Sequence, residues 1–458
     1  MNKNDIKKLN IVSVTSEGFG VAKENEFVYF VPFAIEGEEV TVKILKIKKN
    51  VVYCKLVEVN TPSPYRVNPG CSHFSKCGGC SYLNISYDKQ LDYKQKKVND
   101  ALKRIGKLEI ETEKIIPSPV IFNYRNKALI PVSCDKNKNI ICGFYRNRTH
   151  DVIDTSDCLI QDKDAFLIAD TVKKWMTDFN IKPFDEISKK GLIRHIYFRK
   201  GIKTNEIMAG IVSFSENVPH LDELKNYLLS YHTHIKSIIL NINDKITNVI
   251  LGSKVKVLYG TPYITDIICG VTFKIGSNSF FQVNPYNVEN LYLKAITSLE
   301  LNKDDILFDI YCGIGTIGLC AADKVKEIIG VEVVPEAIKY ANENAKLNDI
   351  KNAKFYVGKA EELIYKMIEE NNRPTKIILD PPRSGCEKSL IDEIIKLNPE
   401  KISYVSCDAA TLARDLKYFE DSGKYKVDKV TACDMFPNTF HVESVALLVQ
   451  TDLTTKFD

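Results

Sequence analysis

A thiol at the end of a strand and ahead of a helix is a candidate nucleophile. Cys407 holds that place, closing the run KISYVS, and the N-terminus of a helix over residues 411–416 would favour its thiolate. Glu443 stands at the mouth of the apolar run SVALLV, where burial would raise its pKa and fit it to take up a proton. A third group lies upstream. The run ILFDIY carries Asp309 and leads into Cys312-Gly313-Ile314-Gly315-Thr316-Ile317-Gly318, a G-x-G-x-x-G between strand and helix, and Glu332 ends the next strand. A carboxylate beside that glycine turn repels a pyrophosphate but attracts the ammonium and sulfonium of S-adenosylmethionine, which disfavours NAD. Glu332 suits either cofactor, because a carboxylate at a strand tip accepts from both ribose hydroxyls. Nucleophile, base and methyl donor together suit carbon 5 of uracil. Thiolate addition at carbon 6 makes an enolate that takes the methyl group, the base removes the proton from carbon 5, and the thiol is eliminated. The reacting base must first leave its stack for a pocket.

Positioning such groups calls for a doubly wound sheet. From Val271 onward the apolar runs ILFDIY, IIGVEV, KIILD and KISYVS alternate with helical stretches, and such sheets bind ligands beyond the C-terminal ends of their strands. Asp380-Pro381-Pro382-Arg383 follows KIILD, and the two prolines make a rigid ledge over the crevice. Phe280-Phe281-Gln282-Val283-Asn284-Pro285 precedes the sheet and is placed to cover the cofactor. Cys312, Cys320, Cys386 and Cys433 read as small buried hydrophobes.

Upstream, residues 10–60 alternate apolar and polar between glycine-containing breaks, the pattern of a small β-barrel of about five strands. A Pro-rich run from Thr61 to Pro69 reads as a linker, residues 85–104 as a lysine-rich helix, and residues 124–266 as short strands mixed with helices, one over residues 163–180. The domains expected are 1–62, 63–270 and 271–458. At 458 residues with 44% hydrophobic and 27% charged side chains, the chain is a multi-domain globular protein. No apolar stretch is long enough to span a membrane and no secretory signal opens the chain, so the expected compartment is the cytoplasm, where the 13 cysteines are unsuited to structural disulfides. A net charge of +4, with Lys and Arg in excess between residues 61 and 160, permits a nucleic-acid partner.

Cys71, Cys77 and Cys80 fall within ten residues and are separated by glycines, so they can wrap one metal centre. A fourth ligand is open among Cys134, Cys142 and Cys158, with His73 if the metal is zinc; spacing does not choose between zinc and an iron–sulfur cluster.

Taken in order, these segments resemble the RNA uracil-5-methyltransferases, the enzymes that form 5-methyluridine in ribosomal and transfer RNA. Residues 10–60 resemble a TRAM domain, an OB-like, RNA-binding β-barrel. Cys71 to Cys80, Tyr124-Arg125-Asn126-Lys127, Gly143-Phe144-Tyr145 and Asp157-Cys158-Leu159-Ile160 are similar to an α+β central domain holding a [4Fe–4S] cluster, and SFFQVNP, DIYCGIGTIGL, LDPPR, YVSC, TLARDL and MFPNTFHVE to a Rossmann-like α/β methyltransferase domain. The resemblance implies cluster ligands Cys71, Cys77, Cys80 and Cys158. It also implies S-adenosylmethionine held among Gln282, Tyr311, Glu332 and Asp380, with Asp309, Gly313 and Gly315 at the turn, Cys407 as nucleophile and Glu443 as base. Two departures stand out. The family usually carries Asn-Pro after the nucleophile, whereas Asp408-Ala409 here is expected to raise the thiol pKa, and Leu83 replaces a glutamine.

The expected substrate is 23S ribosomal RNA, with Arg125, Lys127 and Arg194 as RNA contacts and a monomer as the working unit. Methylation of transfer RNA is the nearer alternative, disfavoured because the transfer RNA enzymes generally lack the barrel. A non-catalytic RNA-binding iron–sulfur assembly factor is the more distant one. A methyl transfer of this type needs no electron, so the cluster's expected role is structural or in RNA folding.

Overall fold

The computed structural model describes residues 1–369 and 373–454. Its N-terminal part is a six-stranded sheet in the order Ile6–Asn10, Glu39–Lys48, Val51–Thr61, Phe27–Pro32, Phe19–Glu24, Ser13–Val14. The two edge strands follow one another in the chain, so the sheet curls round and closes as a barrel. Period-2 alternation sends Val40, Val42 and Ile44 inward against Tyr29, Val31 and Val52. Glu38 is buried at the barrel's foot, where it pairs with Arg66 from the segment that follows.

The middle of the chain forms a seven-stranded sheet from Lys127–Cys134, Ile140–Tyr145, Val152–Asp154, Ile193–Lys200, Ile207–Ser213, Ile235–Ile242 and Lys254–Gly260. Helices Lys163–Asp178 and Leu221–Tyr231 cover one face around the fully buried Trp175. The other face sends Tyr197, Met208 and Ile239 into a core shared with the third part. Middle and C-terminal parts are therefore packed as one body.

That third part is an eight-stranded sheet in the order Ala353–Val357, Glu327–Glu332, Ile306–Ile310, Lys376–Leu379, Lys401–Ser406, Glu443–Gln450, Tyr425–Cys433, Glu113–Ile116. The first five strands are parallel and Glu443–Gln450 runs antiparallel to both of its neighbours. Neighbouring residues go to opposite faces, Leu307 to one core and Phe308 to the other. After Ile306–Ile310 the chain builds outward on one side, then returns to place Lys376–Leu379 on the other, so the reversal of strand order falls between these two strands. Open α/β sheets bind ligands at that point.

The eighth strand comes from outside residues 271–458. Glu113–Ile116 pairs in parallel with Tyr425–Cys433, and helix Tyr87–Ala101 leads toward it, burying Lys94 against Asp434 at 2.6 Å. This stretch of the middle segment belongs physically to the C-terminal sheet. No helix among the described residues is long and apolar enough to cross a membrane.

Candidate active site

Asp309 ends the central strand fully buried. One carboxylate oxygen accepts the Gly318 N–H at 2.8 Å, while Oδ1 has no partner among the described residues. Burial pushes its pKa up to about 7. Such an unsatisfied acceptor at a strand tip fits a cationic or hydrogen-bond-donating ligand. The turn that follows takes the left-handed region at Tyr311, Gly313 and Gly315, with φ of 67°, 55° and 82°. A side chain at Gly318 would have its Cβ 2.7 Å from the Asp309 carboxylate, so the close approach requires glycine there. Glu332 is half-buried at the next strand tip, using one oxygen to accept the Val334 N–H at 3.0 Å. Asp380 follows the strand on the other side of the reversal, and burial together with the Asp309 charge pushes it up to about 7. Gln282 is buried, its carbonyl accepting from Asn126 at 3.3 Å, and Asn284 donates to Ser118 and Met435, so the loop before the sheet is tied to both flanking parts. Phe280 in that loop is 69% exposed. Gln282, Asp309, Tyr311, Glu332 and Asp380 thus come from loops and strand tips at one end of the sheet. The carboxylates suit the cationic end of S-adenosylmethionine.

The nucleophile and base meet through strand register. Ser406 pairs with Ser444 in an antiparallel ladder, so one step further on Cys407 stands opposite Glu443, with side chains on the same face. Burial pushes Glu443 up to about 8, helped by Asp380 and opposed by Arg383. Cys407 is pushed up to about 11, first by burial and then by the Glu443 carboxylate, with Arg383 again opposing. Asp408 plays a different part from the one expected. Its carboxylate caps helix Ala409–Asp421, accepting from Ala410 and Thr411 at 2.9 and 3.0 Å, and it is not among the main causes of the thiol's shift. The helix itself starts at Ala409, two residues before the expected start.

Arg383 was legible only as part of a rigid ledge; folding brings its guanidinium within electrostatic reach of both Cys407 and Glu443. Lys97, in the lysine-rich helix, donates to the Phe440 carbonyl at 3.2 Å and lies over the Phe440 ring at 4.9 Å. A cleft of about 620 Å³ is lined by Thr15, Ser16 and Glu17 of the barrel, Lys96 and Lys97 of the long helix, Asp408 and Phe440. It brings the barrel alongside the residues next to the nucleophile.

Cys71, Cys77, Cys80 and Cys158 line one cavity of about 240 Å³, with Leu83 and Arg125 in its wall. Burial raises Cys80 and Cys158, and the neighbouring thiols add to it. Cys142 instead packs in the core beneath helix Lys163–Asp178, and Cys134 lines a different cavity. Among the described residues no three His, Cys, Asp or Glu side chains close on a point as a single metal ion requires. The four thiols line one cavity.

The expected RNA contacts separate. Arg125 faces the cysteine cavity. Lys127 lies 5.8 Å from the Tyr197 ring centroid, and burial with the nearby Arg199 brings it down to about 6, so it carries little charge at neutral pH. Arg194 is buried and committed to the carbonyls of Asn243 and Lys245 and to Glu186, at 3.2, 2.7 and 3.4 Å. These contacts leave Arg194 an internal brace: its position in the strand Ile193–Lys200 turns it inward.

A doubly wound sheet with acidic strand tips around a glycine turn defines the fold of an S-adenosylmethionine-dependent methyltransferase. The chain belongs to the tRNA (Uracil-5-)-methyltransferase family, which it matches over residues 86–451, and residues 5–57 match the TRAM domain. It is 44% identical over 448 residues to an uncharacterized RNA methyltransferase of Clostridium tetani, covering 98% of this chain and 97% of that one. An uncharacterized RNA methyltransferase of Bacillus cereus is 40% identical over 449 residues, with 98% of each chain covered. Among solved structures, the Pyrococcus abyssi tRNA (uracil-54, C5)-methyltransferase in complex with S-adenosyl-L-homocysteine is similar with a TM-score of 0.79 and 30% identity, covering 96% of this chain and 99% of that one. A match over 96% of the chain extends beyond residues 63–458 into the barrel, so the barrel does not separate transfer RNA enzymes from ribosomal ones.

Proposed function

We propose that this methyltransferase converts a uridine of 23S ribosomal RNA to 5-methyluridine. The observation that carries the uracil chemistry, for either RNA, is the register that sets Cys407 opposite Glu443, beside buried carboxylates whose pKa values are raised. Asp309, Glu332 and Asp380, with Gln282 and Tyr311 beside them, hold S-adenosylmethionine, which supplies an electrophilic methyl group. Arg383 and the N-terminus of helix Ala409–Asp421 favour the thiolate of Cys407. The sulfur adds to carbon 6 of the uracil, and charge moves toward carbon 5 and the oxygen at carbon 4. Once carbon 5 carries the methyl group, Glu443 in its carboxylate form takes the proton from carbon 5 and the C–S bond breaks, returning the thiolate. A base with its pKa near 8 is suited to that transfer near neutral pH.

The four thiols around one cavity support a [4Fe–4S] cluster held by Cys71, Cys77, Cys80 and Cys158, bracing the wall that includes Arg125. The target strand lies in the cleft between barrel, long helix and Asp408, on a chain that works in the cytoplasm as a monomer. Transfer RNA is the second reading, favoured by the Pyrococcus abyssi likeness. Incubation of the anaerobically purified protein with labelled S-adenosylmethionine and unmodified 23S ribosomal RNA or transfer RNA, followed by nucleoside analysis, tests both. Label in 5-methyluridine from ribosomal RNA alone is expected, and it is expected to vanish with Cys407→Ala. Label from transfer RNA alone overturns the substrate, and undiminished label with Cys407→Ala overturns the covalent mechanism.

A further inference from the structure

His441 lies two residues before Glu443, just ahead of the strand Glu443–Gln450, and with Val442 between them in the core the strand's alternation, carried back two residues, puts both side chains on the other side. Its ring packs against Phe440 and Phe436, with centroids 4.3 and 5.9 Å apart. Neither ring nitrogen has a hydrogen-bond partner among the described residues, and the side chain is only half-buried. An imidazole fixed by aromatic contacts yet left with a free donor and a free acceptor is a ligand group waiting for a partner.

The groups that face it identify the kind of partner. Arg383 from the loop after Lys376–Leu379, Lys97 and Lys94 from the long helix, and Arg125 from the segment before the middle sheet all act on His441, and together with burial they hold its pKa down at about 4. No carboxylate is among these influences, and Asp434, beside the same lysine, is already paired with Lys94. The ring is therefore uncharged through the neutral range and offers one N–H and one lone pair. Arg383 is also the cation that acts on Cys407 and Glu443, so it lies within electrostatic reach of all three side chains.

We propose that the His441 imidazole contacts the target uracil directly, donating a ring N–H to the carbonyl oxygen at carbon 4. The inference rests on the uracil chemistry proposed above. In that chemistry the sulfur lone pair forms the bond to carbon 6, the ring π pair moves toward carbon 4, and negative charge collects on the oxygen there. A donor aimed at that oxygen is worth most when the charge has developed. No proton is transferred by His441; the proton from carbon 5 leaves to Glu443.

RNA containing 5-fluorouridine tests this, because the fluorine cannot leave as a proton and the methylated adduct with Cys407 accumulates on a denaturing gel. The wild-type protein should form adduct. His441→Phe keeps the ring packing but loses the donor, and should slow adduct formation at saturating RNA by about a hundredfold, the usual effect of deleting one oxyanion donor, while RNA affinity changes little. His441→Asn and His441→Gln, which restore an amide donor, should recover part of the rate, an outcome that a purely structural role does not produce. Adduct formation by His441→Phe at the wild-type rate overturns the proposal, as does equal slowing in all three variants. A wild-type protein that neither methylates uridine nor forms adduct overturns the uracil chemistry itself, and this inference with it.

Discussion

Glu443 is a carboxyl group held where water cannot reach it, and this has a consequence for stability that is separable from catalysis. Its ordinary pKa of 4.5 rises to about 8 in the folded chain, chiefly through burial. Between those two values the native state keeps a proton that the unfolded chain has released, so stability falls as pH rises through that window. Glu443→Gln removes the titration. The variant should melt above the wild type at pH 8 to 9 and converge with it near pH 4.5, with a gap on the order of a few kcal/mol. Thermal melts across the pH range check this, and a gap that instead grows toward acid pH refutes the assignment. The same substitution should leave the covalent adduct with RNA unresolved, because no group remains to take the proton from carbon 5. Asp309 and Asp380 share the condition of Glu443, each pushed up to about 7. Three carboxyl groups poised near neutrality around one crevice destabilise the substrate-free protein, and a bound cation relieves them.

Helix Ala409–Asp421 illustrates how an element sets the meaning of a residue. In sequence, Asp408 is a charge beside a nucleophile. In the fold its carboxylate turns toward its own helix and satisfies two orphan N–H groups. Asp408→Ala should cost about 1 kcal/mol, the usual worth of an N-cap, and should not bring the Cys407 pKa down, since burial and Glu443 hold it up. Alkylation of Cys407 followed by mass spectrometry as a function of pH measures the second expectation; a fall of a full unit in the variant contradicts it. The barrel, the alternation of strands and helices from Ile306 to Ser406 and the glycine turn were legible because each is written in local sequence. The strand-end positions of Cys407 and Glu443 were legible because each ends or begins a strong apolar run. Glu113–Ile116 was not, since four residues carry no periodicity and their partner strand lies some three hundred residues away. Arg194 misled for a related reason: a charge inside a short run gives no sign of which face of the sheet it will take. His441 stood in the sequence at period 2 from Glu443, but only the packing around it makes that spacing informative.

At the scale of the whole molecule, a buried ion pair ties helix Tyr87–Ala101 to the C-terminal part beside the site. Lys94 and Asp434 are both fully buried, 2.6 Å apart, and the lysine also donates to the Phe436 carbonyl at 2.9 Å while Tyr87 donates to Asp434 at 2.9 Å. Beside it Gln90 exchanges hydrogen bonds with Asn438, donating at 3.1 Å and accepting at 2.8 Å. Helix Tyr87–Ala101 thereby fixes the segment from Asp434 to Phe440, which delivers Glu443 to the nucleophile, and it lines the cleft beside the barrel. Burial lowers the lysine's pKa while Asp434 raises it, so the pair depends on both members. Removing one partner of such a pair leaves the other charge uncompensated and costs about 3–5 kcal/mol, whereas replacing both by apolar groups is often near neutral. Lys94→Met should therefore lower the melting temperature sharply. Lys94→Met with Asp434→Leu should recover less than an isolated pair would, because Tyr87 and the Phe436 N–H also lose their acceptor. Where the single variant still folds, the loss should fall on methyl transfer and adduct formation more than on S-adenosylmethionine affinity, because the pair braces the base and the RNA cleft and not the strand tips at Asp309 and Glu332. Calorimetry with the cofactor and adduct assays with the RNA separate the two. A Lys94→Met protein that loses cofactor affinity while keeping its adduct rate would place the brace on the wrong side of the site.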